Sequence, residues 1–238
     1  MSQSTVTAAV AETADPDLAE SAQRLIRGRR SVRAFRPDPV PPAVLDAVFD
    51  LARRSPSASN TQPWTVDVVS GDLRDRLSQA LIDEHTAGGS TPDFPWVMGD
   101  ETIQGRRFEI GKMLYSLLGI ERDDEGRRHE QYLENLRFFH APHVALVYVP
   151  DGAGERMCTD VGMYTQTLVL AMQGYGIGSC IQGYVGNHAQ AVRTTLGTPD
   201  DGRRLLYGIS FGYQDDEAVI NTIVSPRAAV ADTVRFLN

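Results

Sequence analysis

Cysteine is scarce, with only Cys158 and Cys180 in 238 residues. Two cysteines this far apart form no CxxC motif and no disulfide framework, so both read as buried thiols, and no structural metal is expected. His143 reads as a strand-edge residue, not a ligand. No uninterrupted apolar run approaches the roughly 18 residues of a membrane span. The opening, residues 1–15, is rich in Ser, Thr and Ala but lacks the basic and apolar regions of a signal peptide, and reads as a flexible tail of a cytoplasmic protein. Positive charge is not in excess either: 23 Lys and Arg face 31 Asp and Glu, a net −8. That balance excludes a broad nucleic-acid surface but permits a local pocket for one phosphate. No break in composition divides the remainder, so one domain is expected over 16–238.

Against this background, Arg29-Arg30-Ser31-Val32-Arg33 stands out. In an extended backbone Arg29, Ser31 and Arg33 point to one side, and guanidinium forks with a hydroxyl suit phosphate oxygens. The plainer alternative is a set of solvated cations complementing a helix C-terminus. A helix does precede them: Asp15-Pro16 supplies a cap and a first helical position, and Leu18, Ala22, Leu25 and Ile26 follow at helical spacing up to Gly28. Prolines 37, 39, 41 and 42 then enforce an extended turn, and Pro42 opens a second helix ending at Arg54.

Ser55-Pro56-Ser57-Ala58-Ser59-Asn60-Thr61-Gln62-Pro63-Trp64 has no periodicity and reads as a loop. Its short side chains would let backbone approach a polar ring system, with Asn60 and Gln62 offering donors and acceptors. Trp64–Val69 suggests a strand, followed by a helix capped at Gly71-Asp72. Residues 86–100 are rich in Gly and Pro around Phe94, Trp96 and Met98, and suit either a lid or a segment tucked into the core. Helices are expected at 101–118 and 130–139.

Pro142–Val149 reads as a buried central strand. Residues 157–175 are apolar on nearly every face, which implies burial all round, here in a subunit interface. Gly174-Tyr175-Gly176-Ile177-Gly178 is not a dinucleotide loop, because it ends a helix where such a loop would open one. A short strand over 179–185 follows, with Gly183 placed where a planar ligand could touch backbone. Asn187 and Gln190 suggest a capping box for a helix closing at Gly197, and 205–211 is the last clear strand. The tail around Ile220–Arg227 reads as an exchanged arm or a surface extension.

Together, Arg29-x-Ser31-x-Arg33-x-Phe35, the loop Ser55–Trp64, Gly176-Ile177-Gly178-Ser179-Cys180-x-Gln182-Gly183 and Pro226-Arg227 resemble, in order and spacing, the FMN-dependent nitroreductase family over nearly the whole chain from about Leu18. The chain looks closest to bacterial NAD(P)H-dependent reductases of nitroaromatic compounds, including the dinitrobenzamide-reducing type. Asp93-Phe94-Pro95 and Arg137-Phe138-Phe139-x-Ala141-Pro142-His143 strengthen that likeness.

The resemblance implies an α+β, three-layer fold with a central mixed sheet flanked by helices, in a homodimer with an exchanged C-terminal arm and two FMN sites. By position, Arg29, Ser31 and Arg227 correspond to phosphate and ribityl contacts, with Arg30 beside them, and Arg33 to the flavin N1/O2 edge. Pro56, Ser57, Ala58, Asn60 and Gln62 match the loop reaching the isoalloxazine from the other subunit. Gln182 and Gly183 match the backbone against flavin N5. Some relatives carry Glu at the position of Gln182 and Lys at that of Ser225.

The implied reaction is ping-pong transfer of hydride from NAD(P)H, with NADPH favoured, through the flavin to a small aromatic acceptor, nitro or quinone. No protein acid or nucleophile is required. Enone reduction, reductive dehalogenation and a non-catalytic flavin sensor are the alternatives. Phe94, Trp96, Tyr115, Phe138 and Tyr184 are the candidate pocket walls.

Overall fold

The computed structural model describes residues 15–198 and 201–237. The tail expected over residues 1–15 lies outside them apart from Asp15. That residue caps α1 (Pro16–Gly28), its carboxylate accepting from the amides of Asp17 and Leu18. Pro42 opens α2 (Pro42–Ala52), its missing N–H costing nothing at a first helical position. The chain continues through β1 (Thr65–Ser70), α3 (Gly71–Thr86), α4 (Glu101–Leu117) and α5 (Glu125–Leu136). After β2 (His143–Pro150) come α6 (Glu155–Gly174), β3 (Gly178–Gln182), the single turn α7 (Gly183–Gly186) and α8 (Ala189–Leu196). The order closes with β4 (Arg203–Gly212) and α9 (Val230–Thr233).

The sheet runs β1-β2-β4-β3, with each neighbouring pair antiparallel. Its mixed character comes from the arginine stretch, which joins the free edge of β3 through a parallel bridge between Ser31 and Ser179. β2 is central and buried from His143 to Val149, as an uninterrupted β-branched run requires when both faces are covered. One face packs Ala145, Val147, Ile209 and Phe211 against α2 and α6. The other packs Val144, Leu146 and Leu205 against side chains of α3, α5 and α8, including Leu77, Leu136 and Val192. A bulge opposite Val147 and Tyr148 lets Leu205 and Ile209 serve opposite faces despite their even spacing.

Three expectations change. α5 begins at Glu125, not 130, because Asp124 caps it by accepting from the Arg127 amide. The strand expected over 179–185 stops at Gln182, where the chain turns into α7. The box at Asn187 and Gln190 does not form; His188 precedes the first turn of α8, and the open amide of Gln190 donates to Thr91 Oγ1 (3.1 Å) from outside the helix. Within the single chain, Val161, Tyr164, Leu168, Val169 and Met172 of α6 face the core, while Gly162, Met163 and Gln166 are exposed.

α1 buries none of its residues, leaving Leu18 and Ile26 in the open. The segment after 223 likewise holds Val224, Phe236 and Leu237 exposed. Among the described residues no helix is long and apolar enough to cross a membrane, and no group of three or more His, Cys, Asp or Glu could hold a metal ion.

Candidate active site

The arginine stretch is extended for a stereochemical reason. Gly178 lies so close that a Cβ there would meet Val32 at 2.8 Å, so glycine alone lets the stretch approach β3. The Val32 amide donates to the Ser179 carbonyl (3.0 Å). Asn221, buried in the turn after β4, fixes the next two residues, its Oδ1 accepting from the Arg33 amide (2.7 Å) and its Nδ2 donating to the Ala34 carbonyl (2.8 Å). The sequence reading missed this clamp; a buried asparagine among β-branched residues was its only signal.

Arg29 is half-buried, and its pKa is drawn below the ordinary guanidinium value first by burial and then by the positive charge of Arg227. Segments distant in the chain thus converge. Arg33 donates to the Ser31 carbonyl (3.3 Å), and Arg227 to the carbonyls of Ser225 (2.9 Å) and Pro226 (3.0 Å). Among the described residues none of these three arginines ion-pairs with a carboxylate. Beneath them Cys180 is buried. Desolvation pushes its thiol pKa up, against the opposing pull of Arg33, the Ser31 hydroxyl and Arg29. Arg30 points into solvent.

β3 leads from this cluster to Gln182 and Gly183. The Gln182 side chain is turned inward: its Nε2 donates to the Asn135 carbonyl (2.7 Å) and its Oε1 accepts from the Ser210 hydroxyl. It anchors the end of β3 and leaves only backbone at the surface, so the exchange of Glu for Gln that some relatives show falls on an interior network. Gly183 is exposed, and a Cβ built on it would lie 3.8 Å from the Trp96 ring.

The loop 55–64 adopts left-handed backbone at three non-glycine residues, Ser59 (φ 49°), Asn60 (φ 57°) and Gln62 (φ 47°). Such conformations cost of order 1 kcal/mol or more each and persist only when held from outside. Here Asp160 on α6, a buried carboxylate, accepts from the Ala58 amide (3.2 Å), and Ser57 Oγ accepts from the Gln62 amide (2.9 Å). Trp64 stacks on Tyr164 at 4.9 Å. Gln62 Nε2 is committed to the Asn60 carbonyl (3.1 Å), so that side-chain donor folds back on the loop. Pro56 and Ala58 are exposed, and Ser57 is half-buried. The loop and the arginine cluster sit at different points on α6. Asp160 holds the loop, whereas Gln173, about 20 Å further along at 1.5 Å per residue, lies against Gly28.

The aromatic candidates separate. Phe138 is fully buried in the second core cluster and walls no pocket, a correction caused by its packing beside Leu136. Phe94 packs against the first core cluster under the Arg204 guanidinium (3.9 Å to the ring centroid). Tyr115 lies under Arg128 (5.1 Å). Tyr184 stands edge-on to Tyr132 (4.7 Å) and is exposed. Trp96 alone is both open, at 64% exposure, and against Gly183.

The segment carrying Trp96 is pinned at its root. Asp93 accepts from the Arg193 guanidinium and from the Leu205 amide (2.7 Å), while its carbonyl accepts from Arg204. Thr91 bonds to the Asn187 carbonyl (2.7 Å) and to Glu84 (3.0 Å), whose other oxygen meets His188 Nδ1 at 2.9 Å.

This arrangement agrees with what comparison finds: the profile of the Nitroreductase family matches residues 26–213. The chain belongs to the nitroreductase family. Among its relatives, Nitroreductase NfnB of Mycolicibacterium smegmatis is 49% identical over 222 residues, covering 92% of this chain and 94% of that one. A 4-nitrobenzoate reductase of Pseudomonas putida is 30% identical over 92% of this chain and 97% of its own. The crystal structure of the FMN-dependent nitroreductase NfnB from Mycobacterium smegmatis in complex with NADPH superposes with a TM-score of 0.90. It is 48% identical, over 93% of this chain and 100% of that one. The α+β fold of this nitroreductase, with its helix-flanked mixed sheet, is therefore the family's.

Proposed function

We propose that this nitroreductase-family chain is an FMN-dependent NAD(P)H oxidoreductase that reduces nitroaromatic compounds, and quinones beside them, with NADPH the favoured donor. The observation that carries the reading is that the charge of Arg227 reaches the half-buried Arg29 while neither forms an ion pair with a carboxylate among the described residues. Two neighbouring guanidiniums repel, and a phosphate dianion bound between them would reverse the sign of that interaction. The Ser31 hydroxyl lies on the same edge, and Arg33 is one alternate residue further on. The open backbone at Gly183 lies at the far end of β3. The donor set therefore fits a mononucleotide phosphate at one end and a planar ring at the other.

FMN, when bound, carries the hydride between donor and acceptor. The chain's own residues then have definite tasks. Arg29, Ser31 and Arg227 hold the phosphate. Arg33 places positive charge at the ring edge where reduction accumulates negative charge. Gln182, locked inward, holds the Gly183 backbone against the ring. The Ser57–Gln62 loop, stiffened by Asp160, offers its exposed backbone to a second copy's ring.

Residues 16–238 act as a single FMN-binding domain in a cytoplasmic homodimer. The uncovered apolar face of α1, the open segment 224–237 and the separation of the loop from the arginine cluster along α6 support pairing with an exchanged C-terminal arm. The test is reduction of the purified chain's flavin by NADPH and its reoxidation by nitroaromatics, quinones, enones and halotyrosines. Parallel-line kinetics with nitroaromatics support the reading. A flavin reoxidised only by enones or halotyrosines overturns it.

A further inference from the structure

Trp96 touches the surface beside Gly183, and it is itself bracketed. The Arg107 guanidinium lies over its ring at 5.2 Å from the centroid. Arg107 Nη1 also meets Met98 Sδ at 3.1 Å, so the cation is held by soft, uncharged partners from the same segment. Among the described residues it has no carboxylate within ion-pair reach. An exposed guanidinium usually finds a carboxylate or is left free in solvent; one fixed over an aromatic plate keeps its fork oriented, with its charge unneutralised. A Cβ built on Gly183 would lie 3.8 Å from the edge of the plate, so Trp96 stands beside the open Gly183 backbone with the guanidinium held over its face. Its scaffold is rigid at the root, because Asp93 is tied to Arg193 and to the Leu205 amide.

We propose that Trp96 and Arg107 form the acceptor clamp of this enzyme: Trp96 lies against the acceptor's ring, and Arg107 receives an anionic substituent on the side away from the reducible group. The preferred oxidants are then nitroaromatics bearing a carboxylate. This rests on the flavin reading above. Each reduction step is the one that reading supplies: hydride from the reduced flavin and one proton go to the nitro group, which leaves as nitroso with loss of water. The clamp binds and orients and takes no part in the electron transfer. The same anion chemistry also exists in the diphosphate of the nicotinamide donor, so the donor and acceptor arms are measured apart.

The experiment uses the FMN-loaded full-length chain and compares kcat/KM for 4-nitrobenzoate with that for nitrobenzene. Stopped-flow reduction by NADPH isolates the donor arm. In Arg107→Gln the ratio of the two kcat/KM values falls about 10- to 100-fold, the loss of one charge-assisted hydrogen bond, and Arg107→Lys recovers part of it. Trp96→Ala lowers both acceptors together, and Trp96→Phe recovers both. An unchanged ratio in Arg107→Gln overturns the clamp, as does a defect confined to reduction by NADPH, which would give the guanidinium to the donor. A yellow, NADPH-reducible protein with no acceptor ratio to lose removes this inference and leaves the flavin reading standing. A colourless protein that NADPH cannot reduce removes both.

Discussion

Arg227 brings its positive charge to bear on the half-buried Arg29, whose pKa is lowered first by burial and then by that charge. One residue ends the first helix and the other lies between the turn that holds Asn221 and α9, so the fold brings like charges together at a site that binding must neutralise. Substituting either by Ala should weaken FMN by about 1.5 to 3 kcal/mol, roughly a 10- to 100-fold rise in Kd, without loss of fold. Flavin titration of the deflavinated protein, with circular dichroism as control, measures this.

The interior side chain of Gln182 predicts a stability effect, not a binding effect. Gln182→Ala leaves the Asn135 carbonyl and the Ser210 hydroxyl without their partner at a buried position, a loss of about 1 to 3 kcal/mol. Thermal unfolding should show a lowered Tm. Direct flavin contacts made by backbone at Gly183 should survive, so FMN affinity should fall far less than in Arg29→Ala.

His143 sets a pH limit. The Val40 amide donates to its Nε2 (2.9 Å), so the proton sits on Nδ1, which reaches Ser70 Oγ at 2.5 Å. Burial, and secondarily the Arg74 charge, lower its pKa. The unfolded chain therefore binds a proton more readily than the folded one. The associated stability is fully present above about pH 6.5, the unfolded value, and is lost as pH falls from there toward the folded value. Urea unfolding between pH 7.5 and 5 should show a decline that His143→Gln reduces.

Much of this fold was legible from periodicity and punctuation. Asp15-Pro16 and Pro42 mark helix starts because caps and N1 prolines act locally, and Pro142–Val149 marks the central strand because full burial needs an unbroken apolar run. The corrections fall where long-range contacts decide. Thr91 supplies the acceptor for the open amide of Gln190 from nearly a hundred residues away, so the local Asn187 and Gln190 signal was overridden. Phe138 looked like a pocket wall because aromatic identity does not encode direction, and its packing places it in the core. The arginines of the site were visible as residue types; the Asn221 and Asp160 side chains that hold the backbone around them were not, since each acts on a segment more than a hundred residues distant in the chain.

Asp93 gives a prediction for the segment that carries Trp96. Asp93→Ala strands Arg193 and frees the Leu205 amide, and breaking a mostly buried pair of this kind costs about 3 kcal/mol or more. Hydrogen exchange over 91–99 should accelerate first, ahead of the rest of the fold, and Trp96 fluorescence should shift with it.

The most direct test is the visible absorption spectrum of the purified full-length protein, recorded before and after anaerobic addition of NADPH. A flavin band near one FMN per chain that NADPH bleaches, and that Arg29→Ala and Arg227→Ala each diminish, is the result expected. A colourless protein that takes up no FMN, or one in which both substitutions leave the full flavin content in place, contradicts it.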